Sequence, residues 1–312
     1  MAEFADDNKD FRLILSEKEK FLLRISSITD LSVPPVILDQ LFPILSEGSL
    51  PEDFEKSQLM HDPSMVSYFL KKLYEQNENQ NALFTGIDDI FDHLTQDDMY
   101  VLLSEMSPLQ QFDESEVCEW KHAYSTHLLM NQLINENGFS QLRYLVPLML
   151  LHDIGKQVLR VLVPEESKEI ARIAQLKKIP RSIAEKEILN LTHAEAGARL
   201  FQEWNFPESV YKPILYHHSN NIPEEFVLET ALIQFVNWVD CNARGIPAKP
   251  LNKATMAAAG IEEIDTQYWI ARHKEIVKET NAYFEPDGIM NINSIKYGTP
   301  AKTGVSNGGT TL

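Results

Sequence analysis

In the segment FRLILSEKEKFLLRISSI, residues 11–28, the apolar side chains Phe11, Leu13, Ile14, Leu15, Phe21, Leu22, Leu23 and Ile25 recur at helical spacing. A stripe with a period of about 3.6 residues is buried by a helix, whereas a half-buried strand needs alternation at every second residue. No sustained alternation of that kind competes anywhere in the chain, so an all-α fold is expected. Helix starts are legible as well. Asp62-Pro63 reads as an N-cap followed by Pro at the first helical position, Thr192 to Glu195 fits a capping box, and Pro207 after Asn205-Phe206 marks a further start.

Between Met106 and Val117 the stretch SPLQQFDESE is polar and carries a Pro, and Asp113 is placed to cap a helix holding Trp120 and His122. A subdomain boundary is expected there. The resulting division is an N-terminal segment (1–19), a helical subdomain (20–110), a second helical subdomain (111–285) and a Gly-, Ser- and Thr-rich tail (286–312) expected to be disordered. With 312 residues and 44% hydrophobic content the chain can bury a substantial core. Its only cysteines, Cys118 and Cys241, are too few for a disulfide framework and too far apart for a CxxC site.

The start MAEFADDNKD lacks a signal-peptide pattern and the apolar runs are too short to span a bilayer, so a cytoplasmic location without membrane partners is expected. With 28 Lys plus Arg against 46 Asp plus Glu, the net charge of −18 opposes binding to nucleic acid. The basic residues Lys177, Lys178 and Arg181 read as a solvated loop.

The histidines are unevenly distributed. His61 and His93 precede the boundary, and His122, His127, His152, His193, His217, His218 and His273 follow it, with Asp153 adjoining His152 and Asp240 beyond the HH pair. Facing helices can project imidazoles and carboxylates of this kind toward one divalent transition-metal site. In LLHDIGK, an apolar helix runs into His152 and Asp153, whose burial would be costly without a partner. Lys156, four residues after His152, is expected on the same helical face, within reach of a phosphate or carboxylate, and Gly155 leaves room for a close neighbour. Each residue also has an ordinary reading. His193 can be a first-turn residue, His217 and His218 the polar end of a helix, and Asp240 a buried hydrogen-bonded carboxylate. His127, five residues past His122, reads as packing or surface, and His61, His93 and His273 read as ordinary core or surface positions.

The order His122, His152-Asp153 with Lys156, His193, His217-His218 and Asp240 resembles the HD superfamily of metal-dependent phosphohydrolases, with spacing similar to the HD-GYP phosphodiesterases. The blocks LSVPPVILDQLFPIL, HDPSMVSYFLKKL, EWKHAYSTHLL, LLHDIGK, LTHAEAGARLFQEWNFPESVYKPILYHHS and FVNWVDCNARG resemble the HDOD domain over roughly residues 20–285. This resemblance implies an HDOD fold, a bacterial signalling role, and for many members no demonstrated catalysis and lost metal ligands. Here it implies His122, His152, Asp153, His193, His217, His218 and Asp240 as ligands, with Asp153 bridging. SNNIPEEF stands where a GYP motif would follow His218, which argues against cyclic di-GMP. Cys118 stands where some HD-GYP members carry Glu, so two metal ions are expected rather than three, of a type such as Fe, Mn or Ni. Two functions follow. One is a phosphohydrolase acting on a nucleotide or other phosphate ester, with Asp153 and Lys156 in the catalytic machinery and the metals activating water. The other is a non-catalytic signalling scaffold that binds partner proteins around a structural or vestigial metal site.

Overall fold

The computed structural model describes residues 16–29, 31, 62–75, 83–85, 87–95, 98, 101, 102 and 114–283. Among these residues the regular structure is entirely helical, as the apolar periodicity requires. In chain order the helices are α1 (Glu17–Ile25), α2 (Pro63–Glu75), α3 (Ile87–Asp92), α4 (Glu114–Asn137), α5 (Leu145–Leu151), α6 (Gly155–Leu162) and α7 (Pro164–Lys177). They continue with α8 (Arg181–Leu189), α9 (His193–Glu203), α10 (Glu208–Tyr216), α11 (Val227–Arg244), α12 (Lys253–Ala258) and α13 (Thr266–Tyr283). Short 3-10 turns at Ser140–Leu142 and Glu224–Phe226 precede α5 and α11.

Several ends are set by the residues that announce them. The Met65 amide donates to Asp62 Oδ1 at 2.7 Å, so Asp62 caps α2 ahead of Pro63. Thr192 and Glu195 form the reciprocal capping box of α9, an arrangement worth about 1 kcal/mol. A second box, Ser16 with Glu19, starts α1. Residues 1–15 and 284–312, the segment 103–113 with Asp113, and His61 lie outside the described residues.

All seven side chains of α5, LVPLMLL, are buried. A helix apolar on every side belongs at the centre of a fold, and α5 packs against α4, α2 and α11. The core joins Ile25, Met65 and Phe69 from the N-terminal helices to Leu151, Phe201, Val236 and Ile276. Trp204 Nε1 donates to the Ile28 carbonyl at 3.1 Å, and Arg24 reaches the Leu162 carbonyl at 2.8 Å, fastening α1 onto the α6 and α9 side.

Helices α6 and α9 approach each other backbone to backbone. A Cβ on Gly155 would lie 1.9 Å from the His193 carbonyl oxygen and 2.7 Å from the Gly197 nitrogen, so the room that Gly155 leaves is filled by backbone. A Cβ on Gly197 would meet the Gly155 nitrogen at 3.0 Å and Ile154 Cγ2 at 3.2 Å. The HDIGK turn and the start of α9 are thereby held at one fixed distance. The Gly155→Ala variant is expected to lose about 3 kcal/mol of stability in chemical denaturation, since its Cβ would overlap backbone at 1.9 Å, and more than Gly197→Ala loses, whose Cβ meets backbone no closer than 3.0 Å. Equal stability of Gly155→Ala and wild type would contradict the close approach.

Asp62 gives the fold a pH dependence. It is wholly buried, and burial lifts its carboxyl from 3.8 to about 7 against the opposing amide of Met65. Between those two values the folded chain holds a proton that the unfolded chain has released, so this contribution is complete at acid pH and is lost as pH rises through about 7. Subtracting the stability–pH curve of Asp62→Asn, which keeps a capping oxygen, from that of wild type is expected to show this fall; a flat difference would contradict it.

Candidate metal centre

The apolar helix α5 delivers His152 as its C-cap, fully buried, and the chain then turns through Asp153 and Ile154 before α6 begins. Lys156 is therefore not on a helical face shared with His152, as its spacing suggested. The turn separates two helices because the Lys156 amide closes on the Asp153 carbonyl at 2.9 Å. Its ammonium instead folds back to Asp153 Oδ2 at 2.5 Å.

Asp153 lies between two sets of imidazoles. Its Oδ1 is 3.0 Å from His193 Nε2 and 3.6 Å from His217 Nε2. Its Oδ2 is 3.2 Å from His122 Nε2 and 3.5 Å from His152 Nε2. His218 completes the first set, its Nε2 at 2.9 Å from His193 Nε2, and His122 and His152 approach each other Nε2 to Nε2 at 3.1 Å. Within each set, Asp153-His193-His217-His218 and His122-His152-Asp153, the donor atoms lie within 4.8 Å of one another. α4, the α5–α6 turn, the start of α9 and the end of α10 each contribute.

The outward nitrogens explain the inward ones. His152 Nδ1 contacts the Met149 carbonyl at 2.7 Å and His217 Nδ1 the Ile214 carbonyl at 2.6 Å. A carbonyl only accepts, so each Nδ1 carries the proton and each Nε2 presents a lone pair to the centre. The same outward bond is made to carboxylates by His122, with Asp240 Oδ2 at 2.7 Å, and by His193, with Glu185 Oε2 at 2.6 Å. Two Nε2 atoms facing each other at about hydrogen-bond distance need a proton or a metal cation between them, and Asp153 Oδ1 and His217 Nε2 are buried with no hydrogen-bond partner. The donor set of imidazoles and one carboxylate suits divalent transition metals. These residues fit a metal centre.

Electrostatics agree. Burial pushes the Asp153 carboxyl up, but His152, Lys156 and His193 together outweigh it and hold the group ionised, well below its ordinary value. Burial takes His152 down to about 3, helped by His122 and His217 and opposed by Asp153, so this ring is neutral at physiological pH as a ligand must be. His193 goes the other way: burial lowers it, yet Glu185 and Asp153 raise it to about 9. A ring flanked by two carboxylates has a strong affinity for a positive charge at Nε2.

Asp240 stands behind His122 rather than in either set. Its Oδ1 accepts from Ser125 Oγ at 3.0 Å, contacts His273 Nε2 at 2.6 Å and pairs with Arg244 Nε at 2.8 Å, while Oδ2 holds His122. His273, read from sequence as an ordinary position, is fully buried against this carboxylate. Arg181, read as part of a solvated loop, is mostly buried on α8 because it pairs with Glu119 at 2.7 Å and Glu185 at 3.2 Å. His127 donates to the Val146 carbonyl at 2.8 Å, as packing, and His93 is exposed and bonded to the Asp89 carbonyl. Glu185, Arg181 and His273 were missed. His273 had a signal, lying four residues after Trp269 and three before Ile276, both buried.

A cavity of about 600 Å³ is lined by Asp153, by His122, His193, His217 and His218, by Lys156 and Arg181, and by Trp238 and Leu251. Its volume suits a small-molecule ligand.

Residues 99–220 match the HDOD domain model, and the chain carries an HDOD domain. It is 31% identical over 133 residues to an uncharacterized protein of Treponema pallidum (strain Nichols), a match covering 41% of this chain and 26% of that one. The chain thus spans about a quarter of the length of this curated relative. Among solved structures it resembles a virulence factor from Campylobacter jejuni subsp. jejuni, with TM-score 0.59, 16% identity, and coverage of 84% of this chain and 96% of that chain. The MmoQ response regulator from Methylococcus capsulatus str. Bath superposes with TM-score 0.57 and 16% identity over 77% of this chain and 98% of that chain. At such identity the likeness is one of fold. No helix among the described residues is long and apolar enough to cross a membrane.

A bound ion stabilises only the folded state, so adding Mn²⁺ or Co²⁺ at about a hundred times its dissociation constant is expected to raise the melting temperature by roughly 5 °C. Calorimetry in which the ions leave the transition unmoved would contradict the fit.

Proposed function

We propose that this HDOD-domain protein is a metal-dependent phosphohydrolase that cleaves a nucleotide or another phosphate ester over a two-metal centre. One observation carries the reading: both oxygens of a single, mostly buried carboxylate, Asp153, serve separate imidazole sets in the lining of a cavity large enough for a small phosphate ester. His122 and His152 would hold one ion, His193, His217 and His218 the other, and Asp153 both. When bound, such ions supply a nucleophilic water at neutral pH and charge to offset the phosphoryl oxygens.

The protein's own groups do the rest. Lys156, on Asp153 Oδ2, brings positive charge to the cavity, where it orients a phosphate and stabilises the charge that develops on it. Asp240 and the Met149 and Ile214 carbonyls keep three of the rings turned with Nε2 inward, so the donor set is assembled before substrate arrives. Trp238 and Leu251 add apolar surface to the cavity for the ester's organic part.

A second reading has its own observation. Lys156 already neutralises Asp153 at 2.5 Å, which would let the cluster hold its helices together without turnover, as a module that binds signalling partners. MmoQ, of like fold, bears the description of a response regulator.

Hydrolysis of bis(para-nitrophenyl) phosphate, followed with and without Mn²⁺, separates the two. Metal-dependent turnover that Asp153→Asn lowers by at least about a hundredfold, with the variant's circular dichroism unchanged, is the expected result. Turnover retained in Asp153→Asn would contradict the assignment, and metal bound without hydrolysis of this or any nucleotide ester would favour the signalling module.

A further inference from the structure

We infer that helix α8 is a brace between the two halves of the metal centre, and that Glu185 and Arg181 are positioning residues for the ion held by His193, His217 and His218. The inference rests on the metal-centre reading above and assigns a role to residues that belong to neither ligand set.

Glu185 is fully buried. One oxygen, Oε2, accepts from the His193 backbone amide at 2.8 Å and meets His193 Nδ1 at 2.6 Å, so it fixes both the ring and the chain that carries it. The other, Oε1, accepts from Arg181 Nε at 3.2 Å, one helical turn back along α8. Arg181 Nη1 then donates to Glu119 Oε1 at 2.7 Å, and Glu119 stands three residues before His122 on α4. Glu119 is also bound by Arg160 of α6. A continuous charged path thus runs from His193 of one set to the helix bearing His122 of the other, Glu185 to Arg181 to Glu119. α8 has no ligand of its own, yet it joins both sides.

Stability alone does not account for such a path, because a buried ion pair generally stabilises a fold no better than well-packed apolar residues of similar volume. What the pair gives is geometry and polarity. A carboxylate on Nδ1 fixes the tautomer of His193, raises the basicity of Nε2 and stops ring rotation, and removing such a partner typically weakens metal affinity about 10- to 100-fold. Arg181 in turn holds the other oxygen of Glu185 while Oε2 stays on His193. His122 is held separately by Asp240, and His152 and His217 by carbonyls, so loss of the brace should fall on one ion and spare the other.

The test is titration of the metal-free full chain with Co²⁺, followed by calorimetry and by the visible absorption of the bound ion. Wild type is compared with Glu185→Gln, nearly isosteric, and with Arg181→Met, which leaves Glu185 in place. The expected result is two ions in wild type and, in both variants, one affinity reduced about 10- to 100-fold with a shifted absorption band while the other stays within about twofold. A merely structural role would lower the melting temperature of the metal-free chain and move both affinities together or neither. Two unchanged affinities in either folded variant would overturn the brace. A wild-type chain that binds no Co²⁺ would overturn the metal centre itself, a distinct failure.

Discussion

A carboxylate buried among imidazoles is the constraint around which this fold is arranged. Asp153 is ionised despite burial because positive charge surrounds it, and each of its oxygens faces a separate group of Nε2 atoms. An arrangement of this kind cannot be made by one helix. It needs a turn to present the carboxylate, helix ends to present His152, His193 and His217, and one helix body to present His122. The wholly apolar α5 supplies the first requirement by driving the HDIGK turn into the interior, and Gly155 against the His193 carbonyl supplies the distance between turn and α9.

Around that centre lies a second layer that decides how it behaves. Backbone carbonyls orient His152 and His217, carboxylates orient His122 and His193, and those carboxylates are held by Arg244, His273 and Arg181. The consequence is chemical as well as geometric. Neutral rings with inward lone pairs are metal ligands, and a ring between two carboxylates attracts a cation. The cavity above gives access, and its cationic and apolar walls suit a molecule with an anionic end and an organic body.

Much of this was legible in the sequence. Helical periodicity gave the fold class, capping residues at Asp62 and Thr192 gave helix starts, and the order of His122, His152-Asp153, His193 and His217-His218 gave residues that do converge. What escaped was set by long-range packing. Glu185 and Arg181 look like a surface pair of one helix, and nothing in their spacing points to His193 or Glu119. Resemblance gives residues without distances, and it is the structure that shows Asp240 Oδ2 on His122 Nδ1 at 2.7 Å, behind the ring, while Asp153 lies between the rings. Lys156 does reach a carboxylate, Asp153 at 2.5 Å, but across a three-residue turn where the sequence reads as continuous helix.

The central claim, that Asp153 joins two ion sites, is tested most directly by anomalous X-ray diffraction from crystals grown with Mn²⁺ or Co²⁺. The account expects two anomalous peaks, one beside each oxygen of Asp153, the first among His193, His217 and His218 and the second between His122 and His152. No peak at either set, with Lys156 still seated on the carboxylate, would contradict it.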